Sequence, residues 1–281
     1  MLRKGFAFAA LGLALLAGPA LAATTNEEPS NVHWSFEGPF GKFDKEQLQR
    51  GYKVYREVCS ACHSMNLMYF RNLGQKGGPF YDPKYPNPNN NPVVKSLAHD
   101  ITVKDIDTDT GDVISRPAIP ADKFPAPFAN EYAARASNGG SLPPDLSVMA
   151  KAREGGPAYI YSLLSGFKAP PAGLTLQAGK YYDPYFAGDL TGSWHGAASK
   201  VPEGGAISMP PPLTDGKVTF DDGHANRIKD EAYDVSAFLA WAAEPKMEER
   251  KAFGLGAMIY LLIFSGLLYA SYKKIWKNVA H

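Results

Sequence analysis

Three features predict a mainly α fold, one domain with long loop insertions carried on a single C-terminal transmembrane helix. Apolar residues recur at helical spacing in several separate stretches, and no alternating strand pattern is long enough to build a sheet. Residues 252–272 run for twenty-one positions without a charge.

Taken in order, Met1–Ala22 combine Arg3-Lys4, an apolar run from Phe6 to Leu16 and Gly18-Pro19-Ala20-Leu21-Ala22. That is the three-part pattern of a signal peptide, too short to span a bilayer, and it predicts a mature chain beginning near Ala23. Asn26–Phe43 form an irregular lead-in. From Asp44, a plausible N-cap with Gln47 at the capping-box position, Leu48, Tyr52, Tyr55, Val58, Cys59 and Cys62 recur at helical intervals, predicting a helix that ends in the two cysteines. Gln75–Pro127, rich in Pro, Asn, Asp and Gly, read as a surface excursion with short local elements. Helices are expected at Asn130–Ser137, at Asp145–Glu154 and from Pro157 onward, the last facing Ile160, Leu163, Leu164 and Phe167 to the core. Leu174–Asp222 is loop-rich again. Tyr233, Ala237, Phe238 and Trp241 then mark one face of a helix stopped by Pro245.

The second apolar zone, Ala252–Tyr272, makes a helix of about 31 Å, matching a hydrocarbon thickness of about 30 Å. Glu248-Glu249-Arg250-Lys251 precede it; Lys273, Lys274 and Lys277 follow, with Tyr269, Tyr272 and Trp276 at belt positions. The expected organisation is therefore a signal peptide at 1–22, an exported domain at 23–251, a span at 252–272 and a basic cytoplasmic tail at 273–281. With 29 Lys+Arg against 28 Asp+Glu, the charge gives no support to nucleic-acid binding. Removing Arg3, Lys4 and the three tail lysines leaves 24 basic against 28 acidic residues outside the membrane, a mildly acidic domain that could attract a basic partner.

Chemistry is concentrated in Cys59-Ser60-Ala61-Cys62-His63. In C-x-x-C-H, two thiols within a single turn can form thioethers to the vinyl groups of one haem c, and the next histidine supplies an axial iron ligand. A thioredoxin-like pair would need a βαβ context, and zinc would need two further ligands at recognisable spacing. The two cysteines of the chain both lie in this motif. A second axial ligand would separate an electron carrier from a haem open to small molecules. Met65 and Met68 follow His63 too closely, Met149 reads as a core residue and Met247 lies among charges. His33, His99 and His224 are further candidates. Met209, between Gly204-Gly205-Ala206-Ile207-Ser208 and Pro210-Pro211-Pro212, belongs to a constrained loop and is favoured, with His195 its main rival.

CSACH, NGGSLPPDLS, KAREGGPAYIYSLLSGF, YYDPYF, MPPPL, FDDG and AFLAWAAEP, in this order before a C-terminal span, closely resemble the cytochrome c1 family of bacterial type. The resemblance covers nearly all of the expected mature chain. It implies a class I cytochrome c fold with long loop insertions, in which the helix ending at Cys59–His63 crosses that of Phe238 and Trp241, with Gly51 permitting close approach. It implies iron held between His63 and Met209, and Arg153 and Tyr159 near the propionate edge. On their own those two residues read as an exposed helix-end cation and a core aromatic. Asn138, Pro143 and Pro144 would line the pocket. The family is the haem subunit of the cytochrome bc1 complex, a quinol–cytochrome c reductase in which this chain would be the electron carrier. The implied partners are cytochrome b, the Rieske iron–sulfur protein and a soluble basic c-type cytochrome, during quinol oxidation coupled to proton translocation. The implied location is an inner or intracytoplasmic membrane with the haem domain in the periplasm. Two segments depart from the mitochondrial pattern: the longer stretch AGDLTGSWHGAASKVPEGGAIS, which contains His195, and the Pro/Asn-rich excursion, which stands where some relatives carry acidic hinge-like segments.

Overall fold

A computed structural model describes residues 26–278, so the signal-peptide segment at 1–22 lies outside the described residues. Seven helices and four short strands are found among them: α1 (Lys45–Glu57), α2 (Pro92–His99), β1 (Thr102–Ile106), β2 (Val113–Pro117), α3 (Glu131–Ser137), α4 (Met149–Ala152), α5 (Gly156–Ser165), β3 (Tyr181–Asp183), β4 (Gly205–Ile207), α6 (Ile228–Ala243) and α7 (Met247–Trp276).

Asp44 starts α1 by accepting the amides of Glu46 at 2.9 Å and Gln47 at 3.1 Å. The helix buries Leu48, Tyr52, Val54 and Tyr55 against α6, whose Val235, Phe238 and Trp241 are themselves fully enclosed. Tyr52 and Tyr55 meet the Phe238 ring at centroid distances of 5.7 and 5.9 Å. The expected role of Gly51 is found here: a Cβ at this position would lie 2.1 Å from the Asp234 carbonyl oxygen and 2.7 Å from the Phe238 Cβ. Beside the crossing, the Arg50 guanidinium reaches the buried Asp234 carboxylate at 2.8 Å and Asp222 at 3.1 Å. The lead-in packs on the same helix, with Trp34 stacked on Tyr233 at 4.7 Å.

Four local expectations are corrected. The α1 helix stops at Glu57, and Cys59–Ala61 form a separate 3₁₀ turn. The helix expected over Asp145–Glu154 shrinks to one turn, because Asp145, Leu146 and Ser147 bond across to the segment after His63 instead of starting a helix. Of the residues expected on the core face of α5, Ile160 is enclosed and Leu164 packs against the main core, whereas Leu163 and Phe167 are only half-buried. Finally, two small antiparallel pairs exist: a β1–β2 hairpin within the excursion, and β3 with β4. The hairpin escapes periodicity because most of its side chains are exposed, Ile106 and Val113 included. It is tied down by Arg116, which bonds Asp105 at 2.5 Å and Asp122 at 2.6 Å. The excursion is anchored by buried Asn91, which caps α2 through Oδ1 and donates to the Phe80 carbonyl at 2.8 Å.

The α7 helix is longer than the apolar run within it. Its 30 residues have mean hydropathy 1.9 in their most apolar window, and that window is unburied, so the helix is long and apolar enough to cross a membrane. Its first turn is docked on the domain: Glu248 accepts the Phe43 amide at 3.0 Å, and the Lys251 ammonium donates to the carbonyls of Phe36 and Gly41 at 2.7 and 3.2 Å.

Candidate haem site

The Cys59–Ala61 turn places the two thiols one turn apart, with the amides of Cys62 and His63 closing on the Cys59 carbonyl at 3.1 and 2.9 Å. Both thiols are free, Cys59 half-buried and Cys62 exposed. Burial, with the neighbouring Cys62 thiol, pushes the Cys59 thiol up to about 12.

His63 approaches the Pro144 carbonyl oxygen through Nδ1 at 2.8 Å. A carbonyl can only accept, so Nδ1 carries the proton and Nε2 keeps its lone pair for a metal. Burial pushes the imidazole below its ordinary range, favouring the neutral ring that ligation requires. The loop that supplies Pro144 is held to the motif by further bonds. The Leu146 amide donates to the Ser64 carbonyl at 2.8 Å, and Asp145 Oδ2 accepts from the Ser64 hydroxyl at 2.9 Å and the Asn66 amide at 2.7 Å. Burial opposes ionisation of Asp145, but its bonds from Ser147, Asn66 and Ser64 hold the carboxyl below the usual carboxylate range.

Met209 lies two residues beyond the end of β4 and is half-buried. Two glycines fix the strand before it. Gly204 has φ +94°, and a Cβ there would lie 2.4 Å from the Asp183 carbonyl oxygen; one at Gly205 would lie 2.8 Å from the Phe186 carbonyl oxygen. Lys180 donates to the Ser208 hydroxyl at 2.6 Å, and three prolines follow. The thioether is thus carried on a doubly anchored loop. The rival His195 is exposed on a loop held by the Leu174–Trp194 bridge. Met65, Met68 and Met247 are buried in packing positions, and Met149 packs against the main core.

Arg153 and Tyr159 are brought together, the guanidinium acting on the phenol, although burial dominates and leaves Tyr159 above its ordinary value. Asp183 also acts on this phenol, which links the β3–β4 pair to the start of α5. Asn138 uses its side chain to close α3, donating to the Ala134 carbonyl at 2.7 Å; Pro143 is half-buried and Pro144 exposed. Asp145 and Asp183 escape the sequence reading, since an aspartate beside prolines carries the same signal as any turn residue.

Asp183 gives a pH-dependent prediction. Its side chain is fully buried, Oδ1 accepts the Tyr185 amide at 2.8 Å, and Oδ2 has no hydrogen-bond partner among the described residues. Burial raises its carboxyl from 3.8 to about 6. A raised folded-state value stabilises the fold below the unfolded value and loses that contribution as pH rises through about 6. The loss amounts to about 3 kcal/mol. Thermal unfolding of Asp183→Asn between pH 4 and 7 should therefore show a stability gap that moves in the variant's favour as pH rises; a gap independent of pH contradicts this.

Two free thiols on one turn beside a neutral imidazole whose Nδ1 is already bonded form a donor set that fits haem c. In a helical domain joined to one spanning helix, they define a membrane-anchored c-type cytochrome. A sequence model of the Cytochrome C1 family matches residues 34–279. Cytochrome c1 of Rhodospirillum rubrum is 39% identical over 98% of this chain and 97% of its own length, and cytochrome c1 of Blastochloris viridis is 38% identical over 95% and 93%. Cytochrome b/c1 of Bradyrhizobium diazoefficiens is 41% identical over 98% of this chain, which spans 41% of that protein. The chain belongs to the cytochrome c1 family, haem c proteins that serve as electron-transfer subunits of the bc1 complex.

Proposed function

We propose that Cys59 and Cys62 would hold one haem c through thioethers, that His63 and Met209 would ligate its iron, and that the chain relays electrons from the Rieske iron–sulfur protein to a soluble basic c-type cytochrome. The observation that carries this reading is the His63–Pro144 hydrogen bond, which leaves Nε2 as the free lone pair beside two unpaired thiols. Haem c supplies a one-electron couple at its iron. The protein's part is to fix that couple in place and close it to other chemistry. The Pro144 carbonyl holds His63 in one tautomer, while the Cys59–Ala61 turn would hold the macrocycle and the β4 loop would supply the thioether. A methionine ligand favours ferrous iron and raises the potential. Arg153 and Tyr159 stand near the propionate edge in this reading.

The arrangement in the membrane follows: a signal peptide at 1–22, a periplasmic haem domain at 23–251, a span at 252–272 beside cytochrome b, and a cytoplasmic tail at 273–281. The mildly acidic exported domain suits a basic acceptor, whose docking rate should fall with salt over a Debye length of about 8–10 Å. Stopped-flow mixing of the pre-reduced bc1 complex with a basic c-type cytochrome tests the outlet. Oxidation that slows several-fold between low and physiological ionic strength supports it, and a salt-independent rate contradicts it. Quinol reduction of this haem should also vanish when the Rieske head is removed; persistence would place the electron entry elsewhere.

A further inference from the structure

We propose that Asp145 is a positioning residue for the axial histidine. By clamping the loop that carries the Pro144 carbonyl onto the segment after His63, it sets the strength of the His63 Nδ1–H bond and, through it, the reduction potential. This rests on His63 being a ligand, as proposed above.

Pro144 has no amide hydrogen, so its carbonyl is held in place by its neighbours. Asp145, the next residue, accepts three of the hydrogen bonds that hold this loop. Its Oδ2 accepts from the Ser64 hydroxyl at 2.9 Å and the Asn66 amide at 2.7 Å, one and three residues beyond His63. Its Oδ1 accepts the Ser147 amide at 2.9 Å, which fixes the turn that points the Ser147 hydroxyl at the Leu67 amide, 3.1 Å away. With the Leu146 amide on the Ser64 carbonyl at 2.8 Å, the two segments are stitched on both sides of the carboxylate. The two ends of the His63–Pro144 bond thus sit on segments that Asp145 joins, and its length cannot change without disturbing those bonds.

A carbonyl that accepts firmly from Nδ1 makes the imidazole more basic toward a metal, and a more basic ligand favours the ferric state. Loosening the clamp should weaken that donation and raise the potential. Loss of the methionine ligand has the opposite sign, so the two effects are separable.

The experiment uses the full-length haem-loaded protein in detergent. Potentiometric titration and the proton resonance of the His63 Nδ1–H in the reduced state are recorded for wild type, Asp145→Ala, Asp145→Asn and Ser64→Ala. Removing the carboxylate also removes a negative charge, which alone raises a potential; Ser64→Ala leaves that charge in place and deletes one bond of the clamp. A carboxylate clamp predicts a raised potential in all three variants, an upfield shift of the Nδ1–H resonance, and exchange of that proton with solvent about tenfold faster or more in Asp145→Ala. Asp122→Ala, which removes the two Arg116–Asp122 bonds beside the hairpin, serves as the control for destabilisation alone. The proposal is overturned if Ser64→Ala leaves both potential and resonance unchanged, or if the variants lose stability as Asp122→Ala does without moving either. If Asp145→Ala does not mature, Asp145→Asn and Ser64→Ala decide the matter by the same two readouts. If the His63 resonance shows no ligation even in wild type, the ligand assignment fails and the clamp falls with it.

Discussion

Met209→Leu is expected to lower the reduction potential and open the ferrous iron to carbon monoxide, which wild type should not bind. Leucine keeps the volume and the apolar character of the β4 loop, so the Gly204–Gly205 strand, the Lys180–Ser208 bond at 2.6 Å and the three prolines stay in place. Only the proposed sulfur donor is removed. Because a thioether stabilises the ferrous state, its loss should lower the potential on the order of 0.2 V, a fraction of the roughly 0.8 V range over which axial ligands tune haem. His195→Ala is the matched comparison, and the exposed position of that residue predicts an unchanged potential and no carbon monoxide binding. The reverse pattern would transfer the ligand role to His195.

Gly51→Ala carries the second large effect, on the fold itself. In an open helix this change gains up to about 1 kcal/mol of propensity. At the α1–α6 crossing the new methyl would lie 2.1 Å from the Asp234 carbonyl oxygen and 2.7 Å from the Phe238 Cβ, so the helices must separate. Separation loosens the Tyr52 and Tyr55 contacts with Phe238, at 5.7 and 5.9 Å, and the Arg50–Asp234 pair at 2.8 Å. A net destabilisation of about 3 kcal/mol or more is expected, lowering the melting temperature by roughly 6–12 °C. Gly192→Ala is the control, since nothing lies within 4 Å of a Cβ there. Equal melting temperatures for the two variants would mean that the crossing is not close-packed at Gly51.

Gly51 also shows what could be read from the chain before the fold was known. The family resemblance supplied the helix crossing, and a glycine that carries a local penalty inside an otherwise good helix fits a close approach there. The spanning segment was legible because 30 Å of hydrocarbon imposes a length, and α6 because one face repeats Ala237, Phe238 and Trp241. The motif Cys59–His63 named its own chemistry through spacing. What stayed hidden depends on contacts distant in sequence. The β1–β2 hairpin leaves most of its side chains exposed, and the Arg116 bonds to Asp105 and Asp122 that tie it down leave no local pattern. The α1 helix was read one turn too long because Val58, Cys59 and Cys62 keep helical spacing while the backbone tightens into a 3₁₀ turn. Asp145 bonds residues about eighty positions away, and no local pattern announces that.

The most direct test of the central claim is iron X-ray absorption on the purified protein. The proposed ligand set predicts one sulfur scatterer bonded to iron alongside five nitrogens in wild type, and loss of that sulfur in Met209→Leu. A wild-type spectrum with nitrogen neighbours alone, unchanged in the variant, would contradict it.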